Sequence, residues 1–268
     1  MNLKAVDWNL LLRKSSHFLS RFFSPRLQPE KWVFILGCYN SGTTLLHDLL
    51  SIHPDVGSMP REGQFFTDQL PTGASVGLPR LWALDVGRFH WTETSDPGVD
   101  LAKLKRDWAW YFNRPYSKVL LEKTVLNAAR SRWLQRVFPN AVFISIFRDP
   151  FAVCSGIARK EGHGVEQAAL QWSESNRILL EDIPFLNHHF QLTYEQLTSN
   201  PSQVFKEITR FLGLSEYSSG IHDLEFNIHG SKSRIRNMND EAVRRLSDDQ
   251  RDVIRRCCSD TMKRLGYD

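Results

Sequence analysis

The run Gly37-Cys38-Tyr39-Asn40-Ser41-Gly42-Thr43-Thr44 places a glycine at each end of a turn and three aliphatic hydroxyls at its close. It follows the apolar run Trp32-Val33-Phe34-Ile35-Leu36 and precedes a segment in which Leu45, Leu46, Leu49 and Leu50 share one helical face. A buried strand, a tight turn and a helix start in this order form an anion cradle: backbone N–H groups and the positive end of the helix dipole converge on one point. The glycine spacing is that of a nucleoside-triphosphate loop, but Thr43 and Thr44 stand where such a loop carries lysine and a magnesium-holding hydroxyl. ATP is therefore a poor fit. A terminal sulfonate carries about one negative charge and a terminal phosphate about two, so hydroxyls and N–H groups without a metal suit a phosphosulfate.

A second candidate lies at the end of Ala141-Val142-Phe143-Ile144-Ser145-Ile146-Phe147, where Arg148-Asp149-Pro150 follows. An arginine at the carboxyl end of a parallel strand, with a helix opening at the proline, stands where open α/β sheets bind ligands and offers a forked donor to a phosphate. An ion pair with Asp149 or another carboxylate is the competing reading. Lys123 likewise falls just beyond the strand-like 118–121.

These residues need a scaffold that brings strand ends together. Strand patterns at 32–36, 118–121, 141–147 and 189–192 alternate with helix patterns at 43–52, 127–138, 150–160, 164–182, 200–212, 240–246 and 247–265. Asn200-Pro201 with Gln203, and Ser247 with Gln250, read as helix starts; Gly213 and Gly266 read as stops. The expected fold is α/β, a three-layer sandwich with a mainly parallel central sheet and a P-loop-like strand-loop-helix.

In these motifs the chain resembles the PAPS-dependent sulfotransferases, whose donor is 3′-phosphoadenosine 5′-phosphosulfate. That family's phosphosulfate loop ends in Ser-Gly-Thr-Thr-Leu-Leu, as 41–46 do here, and a later strand ends in Arg-Asp-Pro. His53-Pro54-Asp55-Val56 with Glu62, Glu122-Lys123-Thr124 with Asn127, Phe138-Pro139-Asn140, Tyr194-Glu195, Phe211-Leu212-Gly213-Leu214 and Leu265-Gly266-Tyr267 are similar in type and order, over about residues 31–268. The resemblance implies that Ser41, Gly42, Thr43 and Thr44 hold the phosphosulfate and Arg148 the 3′-phosphate. It also implies that Lys123 neutralises the leaving group, that Tyr194 contacts the adenine, and that Lys232 and Arg234 belong to a basic loop closing over the 3′-phosphate. Glu62 is the expected general base, with His47 and His53 as alternatives.

Two positions depart from the family pattern. Asn40 replaces a basic residue before Ser-Gly-Thr-Thr, and its amide can still donate to a sulfonate oxygen. The serine expected eight positions after Arg148 is Gly156, with Ser155 one residue earlier; Ser155 or the Gly156 backbone would then meet the 3′-phosphate. The implied reaction is in-line transfer of a sulfonate to a hydroxyl or amine of a carbohydrate, lipid, small metabolite or peptide. A P-loop kinase and a non-catalytic nucleotide-binding protein on the same scaffold are the competing functions.

With 268 residues, of which 41% are hydrophobic and 24% charged, the chain can bury a full core in one domain without metal or disulfide. A net charge of +4 with scattered basic residues carries no nucleic-acid pattern. Cys38, Cys154, Cys257 and Cys258 form no paired or zinc-binding framework, so a reducing, cytoplasmic setting is expected. Residues 1–30 mix Phe18, Leu19, Phe22 and Phe23 with Lys4, Arg13, Lys14, Arg21 and Arg26, an amphipathic extension that can pack on the domain 31–268 or weakly touch an anionic membrane surface. The aromatic stretch 67–117 reads equally as an acceptor-site lid or as an auxiliary packed core.

Overall fold

Strand β1 (Lys31–Leu36) is the middle of a five-stranded sheet in the order β2-β3-β1-β4-β5. The other strands are β2 (Val56–Ser58), β3 (Val119–Glu122), β4 (Ala141–Phe147) and β5 (His189–Thr193). Every pairing is parallel, with Val33 opposite Leu121 on one side and Val142 on the other. The computed structural model describes residues 24–217, 221, 225–228 and 231–267. Residues 1–23, most of the amphipathic extension, lie outside them.

The central strands are mostly apolar, with Lys31, Glu122 and Ser145 the exceptions, because both faces of the sheet are covered. Alternation along β1 sends Trp32, Phe34 and Leu36 into one core with Phe138, Phe143 and Trp133, and Val33 and Ile35 into another with Leu45, Leu49, Ile144 and Phe205. Among the described residues, the α-helices of five or more residues are α1 (Thr43–Ser51), α2 (Leu101–Ala109), α3 (Ser131–Val137), α4 (Pro150–Glu161), α5 (Val165–Asp182), α6 (Tyr194–Ser199), α7 (Pro201–Phe211), α8 (Asn239–Val243) and α9 (Asp248–Leu265). The Asn200 and Ser247 side chains accept from Gln203 N and Gln250 N, and Gly213 and Gly266 end their helices with positive φ.

Two features differ from the sequence expectation. The helix expected over 127–138 is split into a 3₁₀ segment, Val125–Ala129, and α3. The Ala129 carbonyl is withdrawn from the helical ladder to accept from Trp91 N at 2.8 Å. Strand β2, the hairpin of β6 (Phe226–Ile228) and β7 (Ser231–Ser233), and α6 were not anticipated; the strands are three residues long, too short for a period to register. In the aromatic stretch, Trp82, Trp91 and Trp108 are buried in the first core, with Trp108 stacked on Phe138 at 5.6 Å, whereas Trp110 and Tyr116 are exposed.

His189 on edge strand β5 meets the hydroxyl of buried Ser145 through Nε2 at 2.7 Å. Burial pushes its pKa from 6.5 down to about 4. Between those values the unfolded chain binds a proton that the folded chain does not, so stability rises with pH from about 4 to 6.5 and is level above. Thermal melts of the wild type should therefore fall faster below pH 6.5 than those of His189→Gln. Parallel curves would show that this ring does not titrate against the fold.

Candidate active site

The loop after β1 needs its glycines for space. A Cβ on Gly37 would stand 2.7 Å from the Ile146 carbonyl oxygen, and one on Gly42 would stand 2.7 Å from Cδ2 of Tyr194. Gly42 is also left-handed, with φ 93°, and Asn40 takes φ 60°, a conformation that asparagine tolerates better than most side chains. Ser41 N donates to Cys38 O at 3.2 Å, which closes the turn before α1 begins. Inside it, the Ser41 hydroxyl and the Asn40 Nδ2 are buried without a hydrogen-bond partner. Two orphaned donors in a glycine-walled turn at a helix start fit an anion with several acceptor oxygens. Cys38 is fully buried, which pushes its thiol up to about 12 and makes it inert filler.

On the β3 and β2 side of the loop, Lys123 Nζ donates to Thr44 Oγ1 at 3.1 Å and stands 3.5 Å from Glu62 Oε1. The partner of Lys123 is thus Glu62, not its neighbour Glu122. Glu62 also accepts from Gln64 Nε2 at 2.7 Å. Fully buried Glu122 accepts from Gly63 N at 2.8 Å, Thr124 Oγ1 at 2.5 Å and Asn127 Nδ2, and so fixes the turn that carries Glu62. Burial raises its pKa and these hydrogen bonds oppose the rise. The family-like Glu-Lys-Thr and Asn127 therefore have distinct uses: the lysine meets Thr44 of the loop, while the other three residues hold the turn that carries Glu62.

On the β4 and β5 side, Arg148 donates from Nη1 to Asn40 O at 2.8 Å and from Nε to Asn239 Oδ1 at 2.9 Å. Its guanidinium lies 3.8 Å from the Tyr194 ring centre. Burial lowers its pKa, opposed by Tyr194, Glu195 and Asp149. Asn239 Nδ2 donates to Glu195 Oε1 at 2.6 Å, and Glu195 Oε2 accepts from the Tyr267 hydroxyl at 2.9 Å. The Asp149 side chain caps α4 through Ala152 N, so it is engaged with its helix and is not the ion-pair partner of Arg148. Asn239 and Glu195 hold Arg148 in place; Glu195 belongs to the family-like Tyr194-Glu195 pair, but nothing in the local sequence marks Asn239, which lies 91 residues away along the chain.

The remaining predicted positions divide. Thr43 is buried and Thr44 exposed at the first turn of α1. The Tyr194 ring is buried against Gly42 and Arg148, and its hydroxyl donates to Arg236 O and accepts from Met238 N. Ser155 turns toward α8 and donates to Ala242 O at 2.9 Å, while Gly156 is the α4 residue that faces the loop. His53 has both ring nitrogens engaged, with Asp55 N and Ser215 O. His47 pairs with Asp48 at 2.9 Å. The backbone of Lys232 pairs with Asn227 in the hairpin, but its side chain lies outside the described residues; Arg234 follows at the surface.

A parallel sheet whose β1 and β4 ends present a glycine-walled helix start and a clamped arginine has the form of a P-loop-type anion-binding scaffold. The sequence model of the Sulfotransferase family matches residues 33–219, and the chain belongs to that family. It is 26% identical over 219 residues to a protein-tyrosine sulfotransferase of Drosophila melanogaster, covering 72% of this chain and 40% of the fly protein, so the chain spans less than half the length of that relative. The fold is shared with the sulfotransferase domain of the Synechococcus PCC 7002 olefin synthase (TM-score 0.56, 21% identity, 92% of this chain and 98% of that domain). It is shared also with the sulfotransferase domain of the curacin biosynthetic pathway (TM-score 0.57, 18% identity, 91% and 99%).

Proposed function

We propose that the protein transfers a sulfonate group from 3′-phosphoadenosine 5′-phosphosulfate to a hydroxyl or amine of an acceptor. The observation that carries this reading is the two-sided site: Lys123, Thr44 and Glu62 on one flank of the loop, Arg148 clamped on the other. The backbone and hydroxyls of Ser41, Gly42, Thr43 and Thr44 would hold the phosphosulfate, and Arg148 the 3′-phosphate. The donor supplies an activated sulfonate. Lys123 would place positive charge beside the loop, on the 5′-phosphate oxygen that gains charge as its bond to sulfur breaks, and Glu62 would take the proton of the acceptor as the acceptor's oxygen or nitrogen bonds that sulfur. The acceptor is a carbohydrate, lipid, small metabolite or peptide. A tyrosine-bearing peptide is the first to assay, because the fly relative is named a protein-tyrosine sulfotransferase.

Calorimetric titration with 3′,5′-ADP, the desulfonated product of that donor, should show binding without a divalent metal and in preference to ATP with magnesium. Preference for magnesium ATP would replace the reading by a kinase. Product binding without sulfonate transfer to any acceptor class would leave a nucleotide-binding protein.

A further inference from the structure

The loop has two flanks, and Asn40 leans toward one of them. Lys123 and Glu62 follow β3 and β2, on one side of β1; Arg148 follows β4, on the other side. Both attachments of Asn40 lead to the Arg148 side. Its carbonyl accepts from Arg148 Nη1 at 2.8 Å. Its side-chain amide lies against α4, the helix that opens at Pro150 directly behind Arg148: a Cβ on Gly156 would stand 2.9 Å from Asn40 Nδ2 and 3.1 Å from Cγ. The amide fits there because residue 156 has no side chain.

We infer that Asn40 is a donor-specificity residue of the Arg148 subsite, its Nδ2 donating to the same phosphate as the Arg148 guanidinium rather than to the transferring sulfonate. The inference rests on the donor reading above, by which that phosphate is the nucleotide's 3′-phosphate. Asn40 Nδ2 is a buried N–H donor with no partner in the protein, and such a group is costly to leave unmet. Arg148 already commits Nε to Asn239 and one N–H of Nη1 to Asn40 O, so a second donor beside it completes the contact with an anion that presents three oxygens. The left-handed backbone at Asn40 and the Arg148 bond to its carbonyl together hold the residue to this side.

Two ligands that differ at the relevant group decide the matter: 3′,5′-ADP, and adenosine 5′-phosphosulfate, which keeps the 5′ end and lacks the 3′-phosphate. Asn40→Gly removes the amide and keeps a residue that accepts φ 60°. Competition binding should show Asn40→Gly weakening 3′,5′-ADP by roughly ten- to a hundredfold, the worth of a hydrogen bond to a charged group, while adenosine 5′-phosphosulfate changes by less than about twofold. Gly156→Ala, which drives a methyl into the amide, should weaken 3′,5′-ADP in the wild type and have little further effect in Asn40→Gly. A loss confined to adenosine 5′-phosphosulfate would assign the amide to the sulfonate, an equal loss for both ligands would assign it to the shared 5′-phosphate, and either would overturn the inference, as would no loss for either. Wild-type protein that binds neither ligand would sink the donor reading itself, a result distinct from both.

Discussion

Arg148→Ala should weaken 3′,5′-ADP binding by at least about a hundredfold, the loss expected when a buried, forked cationic donor is removed from a phosphate. The side chain has three attachments in the protein: Asn40 O, Asn239 Oδ1 and the Tyr194 ring. Truncation would thus release the loop peptide at Asn40 as well as remove a charge, and both effects lower affinity. Arg148→Lys separates them. Lysine keeps the charge, but its single ammonium on a flexible stem cannot reproduce the planar fork that reaches Asn40 and Asn239 together. Its affinity should fall between those of the wild type and Arg148→Ala. Calorimetry on the three proteins, each first melted without ligand to confirm folding, checks the order; an Arg148→Ala affinity within threefold of the wild type would remove Arg148 from the donor site.

The sheet and the loop were legible in the sequence because each depends on local chemistry. An apolar run followed by Gly-x4-Gly and hydroxyls can be read within about ten residues, and the burial of β1 and β4 on both faces leaves long, mostly apolar strings, broken in β4 only by Ser145. Caps at Asn200 and Ser247 were equally readable, because N-capping is a contact over three residues. The supporting contacts were not legible, because they join distant parts of the chain. Asn239 reaches Arg148 across 91 residues, and Ser155 is claimed by Ala242 across 87. The turn of α4 sets which neighbour faces the loop, and a rotation of about 100° per residue separates Ser155 from Gly156. The aromatic stretch 67–117 was ambiguous for a related reason: a tryptophan's composition does not reveal whether its ring meets Phe138, as Trp108 does, or solvent, as Trp110 does.

Glu62→Gln should lower sulfonate transfer by roughly a hundred- to ten-thousandfold, the span for loss of a general base, while 3′,5′-ADP affinity stays unchanged. The glutamine is nearly isosteric and retains an acceptor oxygen toward Lys123, 3.5 Å away, so the turn held by Glu122 should persist. Lys123→Ala predicts a different pattern. Its ammonium bridges Thr44 of the loop and Glu62, so its removal should reduce turnover and also weaken nucleotide binding, since Thr44 belongs to the cradle. The two variants thus separate proton transfer from charge stabilisation by one comparison of kcat with binding. A Glu62→Gln enzyme with wild-type turnover would move the base elsewhere. His53 could not take the role with both ring nitrogens engaged, whereas His47 lies one helical turn beyond Thr44 and has only Nδ1 paired, to Asp48. In that event His47→Gln should abolish the turnover that Glu62→Gln had spared.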